Sequence, residues 1–280
     1  MIPVFYRPEM VADSASYSPS AAKPKIVIEH WLKDGTITAE QIHSFEPASR
    51  ADFGLAHDLN YVDGILSCAA ENGFGNRSQS VANSLPYTTG SMIAATQHVI
   101  QHGGFACSPT SGFHHAGRNQ AAGFCTFNGL AVAAIMAAMQ GVKVGILDCD
   151  AHYGDGTDDI LGSVPQLGIK HHTFGLHFPP HQRAKQWKPW LMDAVSDLQS
   201  CDIVLYQAGA DPHILDPLGG QLSSLDFCFR EDYIFQALKN VAWNFAGGYT
   251  RDHNGDIPEV VAIHTKTMLS AQFNTKKDTQ

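Results

Sequence analysis

Charge is scarce in this chain, and positive charge is scarcer still. Asp, Glu, Lys and Arg make up 16% of the 280 residues, and 18 basic against 27 acidic side chains leave a formal net charge of −9. A protein that grips a phosphate backbone needs the opposite balance, so direct nucleic-acid binding is not expected. The acid excess instead mildly favours a cationic substrate or partner. No apolar run approaches the roughly 20 residues of a membrane-spanning helix, so no membrane association is expected. Met1 to Arg7 lacks the basic start and long apolar stretch of a signal peptide. The six cysteines, at positions 68, 107, 125, 149, 201 and 228, have neither zinc-finger nor redox spacing, and several sit inside apolar segments. They read as reduced, buried thiols of a cytoplasmic protein. Internal repeats and low-complexity tracts are absent too.

What is present is a chain that is 44% hydrophobic, enough to bury a large core as one domain over residues 1–280. Met1 to Arg7 reads as a first strand. Pro24 opens a helical segment through Leu32, and Thr38 with Gln41 forms a capping-box pattern for a further helix. Helices are expected at 61–70, 90–101, 129–140, 187–199, 226–240 and 258–270. Strands are expected at 105–107, 142–147, 170–176, 202–208 and 241–246. Strands alternating with helices imply an α/β fold with a parallel sheet covered on both faces. The polar stretches 71–86 and 178–186 read as loops that rim a site.

Four clusters carry the chemistry. Asp148, Asp150, His152 and Asp155 follow the apolar run Val142 to Leu147. Side chains alternate along a strand, so Asp148, Asp150 and His152 share a face while the chain stays extended, and Gly154 and Gly156 permit a turn that returns Asp155. Several ionised groups aimed at one spot cost several kcal/mol unless a cation or partners offset them, the mark of a metal site. His114 and His115, flanked by Gly112 and Gly117, must lie on an irregular turn to act in one cavity. Asp211 follows the apolar run Ile203 to Tyr206, and Gly247-Gly248-Tyr249 places a phenol beside close-approaching backbone. In parallel sheets ligands bind beyond the carboxyl ends of strands, which is where all four clusters fall.

In this order, from about His57 to Tyr249, the clusters resemble the histone deacetylase superfamily, which includes acetylpolyamine amidohydrolases and acetoin-utilisation proteins. The resemblance implies an arginase/deacetylase-like fold, an open parallel α/β sheet in one catalytic domain. It implies Asp150, His152 and Asp211 as ligands of a zinc ion; one imidazole and two carboxylates form a hard donor set that also admits ferrous iron. It implies His115 as the catalytic base oriented by Asp155, His114 paired with Asp148, and Tyr249 as donor to the oxyanion. Gly123, Phe124 and Leu218 match substrate-contacting positions, although Phe124 and Leu218 also suit an apolar core. Backbone carbonyls of Asp148, Asp150 and His152 resemble a potassium site.

The chain also departs from that pattern. Ser18 to Pro24 stands where relatives carry a His-Pro-Glu-Arg-Pro type segment, so a channel arginine is absent or replaced by Lys23. Ala246 begins the glycine run, the loop after His177 is short, and the tail ends soon after residue 270. A shortened rim implies an open site or one completed by a neighbouring subunit in a homo-oligomer. The leading expectation is a zinc-dependent deacetylase removing acyl groups from lysine side chains or similar amines. Alternatives are an acetylpolyamine or other small-amide deacetylase, and a non-catalytic acyl-lysine-binding protein. An arginase-like dinuclear site fits less well, because residue 154 is Gly where a further Asp is wanted.

Overall fold

The computed structural model of the chain describes residues 1–277. Its first half comprises β1 (Val4–Phe5), α1 (Lys23–Asp34), β2 (Ile42–His43), α2 (Arg50–Phe53), α3 (Leu59–Leu66), α4 (Gln79–His102), β3 (Phe105–Ser108) and α5 (Gly129–Met139). The second comprises β4 (Val144–Asp148), α6 (Asp155–Gly162), β5 (Lys170–Thr173), α7 (Phe174–His177), α8 (Trp187–Leu198), β6 (Ile203–Gln207), α9 (Ser224–Ala237), β7 (Val241–Asn244) and α10 (Pro258–Lys277). The seven strands form one sheet in the order β2-β1-β3-β7-β6-β4-β5, and every pairing is parallel.

Strand periodicity divides the core into two layers. Cys107, Leu147, Val204, Tyr206 and Trp243 face one side, where they pack with residues of α1, α8, α9 and α10. Their neighbours Ala106, Ile146, Leu205 and Ala242 face the other side and meet α4 and α5. α5 reads Gly-Leu-Ala-Val-Ala-Ala-Ile-Met-Ala-Ala-Met, apolar on every side, and so can only be an interior helix. Its N-cap Asn128 accepts from Ala131 N–H, and the Asn128 N–H donates to His57 Nε2 at 2.9 Å. His57 in turn donates from Nδ1 to Gly117 O at 2.9 Å, which joins the start of α5 to the loop after His115.

Several expected boundaries shift. α4 begins at Gln79, so the expected loop 71–86 is helical over its last eight residues. Its first half, Gln79 to Ser91, is polar and small and carries Pro86, which hides the helical period. Ser78 caps it by accepting from Val81 N–H, and Pro86 O is taken by Ala48 N–H at 2.8 Å. Gly90 is bare because a Cβ there would lie 2.5 Å from Glu46 O. The expected strand 170–176 ends at Thr173 and turns into α7, while Thr38 and Gln41 cap only a single 3-10 turn, Ala39–Gln41. The expected helix 61–70 ends at Leu66. The last helix runs past 270 to Lys277, and α6 was not expected at all. Among the described residues no helix is long and apolar enough to cross a membrane; all six cysteines are free, but only Cys107, Cys125 and Cys149 are buried as expected, Cys68 and Cys201 being half-buried and Cys228 exposed.

Burial pushes the His57 imidazole down to about 4, although its bonds toward Gly117 and Arg118 resist the shift. The ring is therefore neutral when folded, and its stabilising contribution is complete above the unfolded value near 6.5. It is lost as pH falls from there through about 4, amounting to about 3 kcal/mol in all. Urea unfolding at pH 7 and pH 4.5 should show the wild type losing about 2 kcal/mol more than His57→Gln across that interval.

Candidate active site

β3, β7, β6 and β4 are the four central neighbours of the sheet, and each ends in one of the chemistry-bearing loops. β4 stops at Asp148, so the extended alternation expected for Asp148, Asp150 and His152 does not continue. Two side-chain turns replace it: Asp148 Oδ1 accepts from Asp150 N–H at 3.0 Å, and Asp150 Oδ1 accepts from His152 N–H at 3.1 Å. These turns coil the strand end and direct the three side chains inward. Asp211 reaches the same point from the end of β6. His152 Nδ1 lies 3.2 Å from Asp150 Oδ1 and 3.0 Å from Asp211 Oδ2, and one donor atom from each residue falls within 4.8 Å of the others.

Both carboxylates are buried. Burial works against ionised Asp150, but the imidazoles of His114 and His152 outweigh it and hold its carboxyl well below the usual range. Burial and the Asp150 charge push Asp211 well up. Burial would lower His152, yet its bonds to the two carboxylates drive it up to about 11. Asp211 Oδ1 is buried with no hydrogen-bond donor. A buried orphan acceptor, paired carboxylates and a converging imidazole are a donor set fitted to a divalent cation, which would displace the proton on His152.

His114 and His115 sit on a turn, as their adjacency required. Phe113 takes φ +83° before them, and their rings are 4.0 Å apart. His114 Nδ1 meets Asp148 Oδ2 at 2.7 Å, while its Nε2 is 3.6 Å from Asp150 Oδ1. Burial opposes its charge, but Asp148 and Asp150 raise it to about 9. His115 donates from Nδ1 to Asp155 Oδ1 at 2.7 Å, leaving Nε2 with the free lone pair. Burial and the neighbouring His114 cation lower its pKa despite Asp155. The two shifts thus run in opposite directions, up at His114 and down at His115.

Gly154 and Gly156 act by absence of a side chain rather than by the turn freedom expected of them, whereas Gly112 and Gly123 do take positive φ, +91° and +52°. Gly154 has φ −74°, and a Cβ there would lie 2.6 Å from Asp148 Oδ2. At Gly156 it would lie 2.5 Å from the His115 carbonyl carbon, and at Gly123 it would lie 2.4 Å from His115 Cδ2. Asp155 is therefore brought back as the first residue of α6, packed against the His115 turn. Phe124 faces Tyr249 at 5.6 Å, Phe74 at 5.8 Å and Tyr17 at 5.4 Å between ring centroids. Tyr249 is half-buried, and burial together with Asp150 and Asp211 holds its phenol protonated. Leu218 is half-buried and gives its N–H to Asp216 Oδ1 at 2.9 Å; no contact with the other site residues distinguishes it.

Three supporting groups stand outside the expected constellation. Asp216 Oδ2 takes Tyr249 N–H at 2.7 Å, and buried Lys23 donates to Ala246 O at 2.8 Å, bracing the loop that carries the phenol. Burial lowers Lys23 to about 8 against the pull of Asp211, Asp150 and Asp216. Arg230 on α9 donates to Cys149 O and Gly209 O at 3.2 and 2.9 Å, so one guanidinium grips the loops holding Asp150 and Asp211. Glu231 neutralises it at 2.7 Å and also accepts from Tyr206 at 3.0 Å. An Arg-Glu pair inside a helix reads as surface, and no spacing signal marks it as buried.

Two buried carboxylates, an imidazole and a histidine pair thus converge at the carboxyl end of the sheet in an arrangement with the donors to hold a metal ion. Residues 18–188 match the histone deacetylase domain, and the chain belongs to that family. It is 28% identical, over 89% of its length, to an uncharacterized protein of Picosynechococcus sp., covering 93% of that protein. It is 29% identical, over 74% of its length, to histone deacetylase 10, chloroplastic, of Oryza sativa subsp. japonica, of which it spans 57%. The fold is that of the crystal structure of the HDA15 HD domain, with a TM-score of 0.77 at 18% identity, covering 98% of this chain and 90% of that one. Asp211 and Tyr249 lie beyond the matched segment, and the sheet order brings them to it.

A Cβ at position 247 would lie 2.6 Å from Asp211 Cγ and 2.7 Å from Asp150 Oδ2. Gly247→Ala should therefore spread the carboxylates and lower zinc retention on dialysis at least tenfold, with the circular dichroism spectrum unchanged. Retention equal to wild type would show that Gly247 does not shape the centre.

Proposed function

We propose that the protein is a divalent-metal-dependent amidohydrolase that removes acyl groups, acetyl among them, from lysine side chains or similar amines. The observation that carries this reading is geometric: two adjacent histidines, each held at Nδ1 by its own aspartate at 2.7 Å, stand beside the Asp150, His152 and Asp211 donor set. Zinc or ferrous iron held by those three residues would acidify a water and polarise the acyl carbonyl. His115, neutral and with Nε2 free, takes the proton of the attacking water and passes it to the departing amine; Asp155 keeps its tautomer. His114, charged against Asp148, stabilises negative charge that develops beside it. Tyr249 donates its hydroxyl to the oxyanion, and Phe124 with Gly123 flanks the acyl chain.

Potassium is a further proposal. The Asp150 and His152 carbonyls accept no hydrogen bond among the described residues, which supports a monovalent cation beside Asp148. We assign the protein to the cytoplasm on its free cysteines, propose acylated amines rather than nucleic acid or membrane as partners, and leave completion of the short rim by a second copy as the homo-oligomer proposal. Small acetylated polyamines are the second substrate reading, favoured by the acidic net charge. A non-catalytic acyl-lysine reader would keep the pocket without needing His115 or Tyr249.

Zinc-reconstituted protein should be challenged with acyl-lysine peptides, acetylputrescine and simple esters. Tyr249→Phe is expected to retain zinc but lose turnover by roughly a hundredfold or more, as expected for removal of one oxyanion donor. Full turnover in that variant would remove Tyr249 from the mechanism, and binding without turnover by wild type would favour the reader. In a separate measurement, kcat/KM should fall tenfold per pH unit on the acid side of the His115 pKa, which lies below 6.5 because burial and His114 depress it. His115→Ala should abolish that limb together with activity.

A further inference from the structure

Away from the catalytic loops, three more imidazoles gather where α4 ends against the sheet edge. His98 and His102 stand one turn apart on the last stretch of α4, with ring centroids 4.6 Å apart. His43, from the edge strand β2, faces His98 at 6.5 Å. The buried Phe5 ring floors the group, 5.7 Å from both His43 and His98. His43 and His102 are exposed and His98 is half-buried. None of the three side chains makes a hydrogen bond or ion pair with another described residue, unlike those of His57, His114, His115, His152, His171, His172 and His213.

We propose that His98 and His102, with His43 as third ligand, form a second metal site, one that takes a late divalent transition ion such as nickel, copper or zinc. Residues four apart on a helix present their side chains on one face, so His98 and His102 form a ready chelate. Imidazole donors with no carboxylate among them favour borderline ions over calcium or magnesium. Burial, then the proximity of His102 and His43, lowers the His98 pKa, which keeps a lone pair available at neutral pH. The last carbonyls of α4 add a negative dipole end beside the ion. Phe5 limits where His43 and His98 can turn. The donor atoms are not drawn together as tightly as those of Asp150, His152 and Asp211, so binding requires the exposed His43 and His102 rings to rotate inward. That predicts a weaker, exchangeable site.

The test uses untagged full chain whose Asp150, His152 and Asp211 centre carries one equivalent of zinc. Titration with nickel by calorimetry should show one further equivalent in wild type. It should be weakened at least tenfold in His98→Asn/His102→Asn and severalfold in His43→Asn. Copper loading should give an electron paramagnetic resonance spectrum with nitrogen superhyperfine splitting that the double variant lacks. The same differences should appear in a His152→Asn background, which makes the outcome independent of the catalytic reading. His102→Asn alone, at an exposed position, guards against misfolding of the double variant. No further equivalent in wild type, or equal binding by wild type and variants, overturns the proposal.

Discussion

Two carboxylates, Asp150 and Asp211, are buried side by side at the ends of adjacent loops, and nearly everything else near them exists to make that tolerable. Like charges at such distances out of water cost several kcal/mol, so the pair needs a proton, an imidazolium or a cation. The chain supplies an imidazole between them, backbone donors around them, and a geometry that leaves Asp211 Oδ1 bare. Gly247 N–H donates to Asp150 Oδ2 at 2.8 Å, and the same glycine lacks the atom that would collide with both acids. The His152 imidazole reaches both carboxylates but leaves Asp211 Oδ1 bare, the acceptor that a metal cation on the same donors would take up.

Around that centre, support comes from elements with no chemistry of their own. Arg230 fastens the Cys149 and Gly209 carbonyls, while Lys23 and Asp216 fasten the two ends of the Ala246 to Tyr249 turn. Buried ionic groups are a costly way to hold a loop; Arg230 is retained where the Cys149 and Gly209 carbonyls would otherwise be left unpaired, whereas Ala246 O also accepts from the Ser111 hydroxyl. Lys23 is also the residue that stands in the segment where the family pattern carries an arginine. An ammonium offers no planar fork, so it secures a single carbonyl where a guanidinium can bridge two.

The opposite pKa shifts of His114 and His115 follow from their second partners rather than from the pairing itself. Each has an aspartate at Nδ1. His114 is enclosed near Asp148 and Asp150 and gains a proton; His115 lies toward the mouth of the site, and its nearest charged neighbour besides Asp155 is the His114 cation. Coupled groups pushed apart in this way divide acid and base roles between two identical side chains.

Parallel α/β order and the placement of all four clusters at strand ends were legible in the chain, because apolar runs followed by Asp, His and Gly are local signals; singling out Asp150, His152 and Asp211 among the clustered groups rested on the family resemblance. The helical first half of α4 was not, since Gly90 and Pro86 serve contacts with residues 46–48 that no local window contains. Nor was the end of β4 at Asp148, where side-chain turns overrode the strand period. Arg230 and Glu231 were hidden because a charged pair on a helix looks solvent-facing until the helix is packed. The amino-acid order by itself determined which groups can bind a cation and move a proton. Only the tertiary structure decided their pKa shifts and their convergence, because both depend on burial and on neighbours 34 to 97 residues away in the chain.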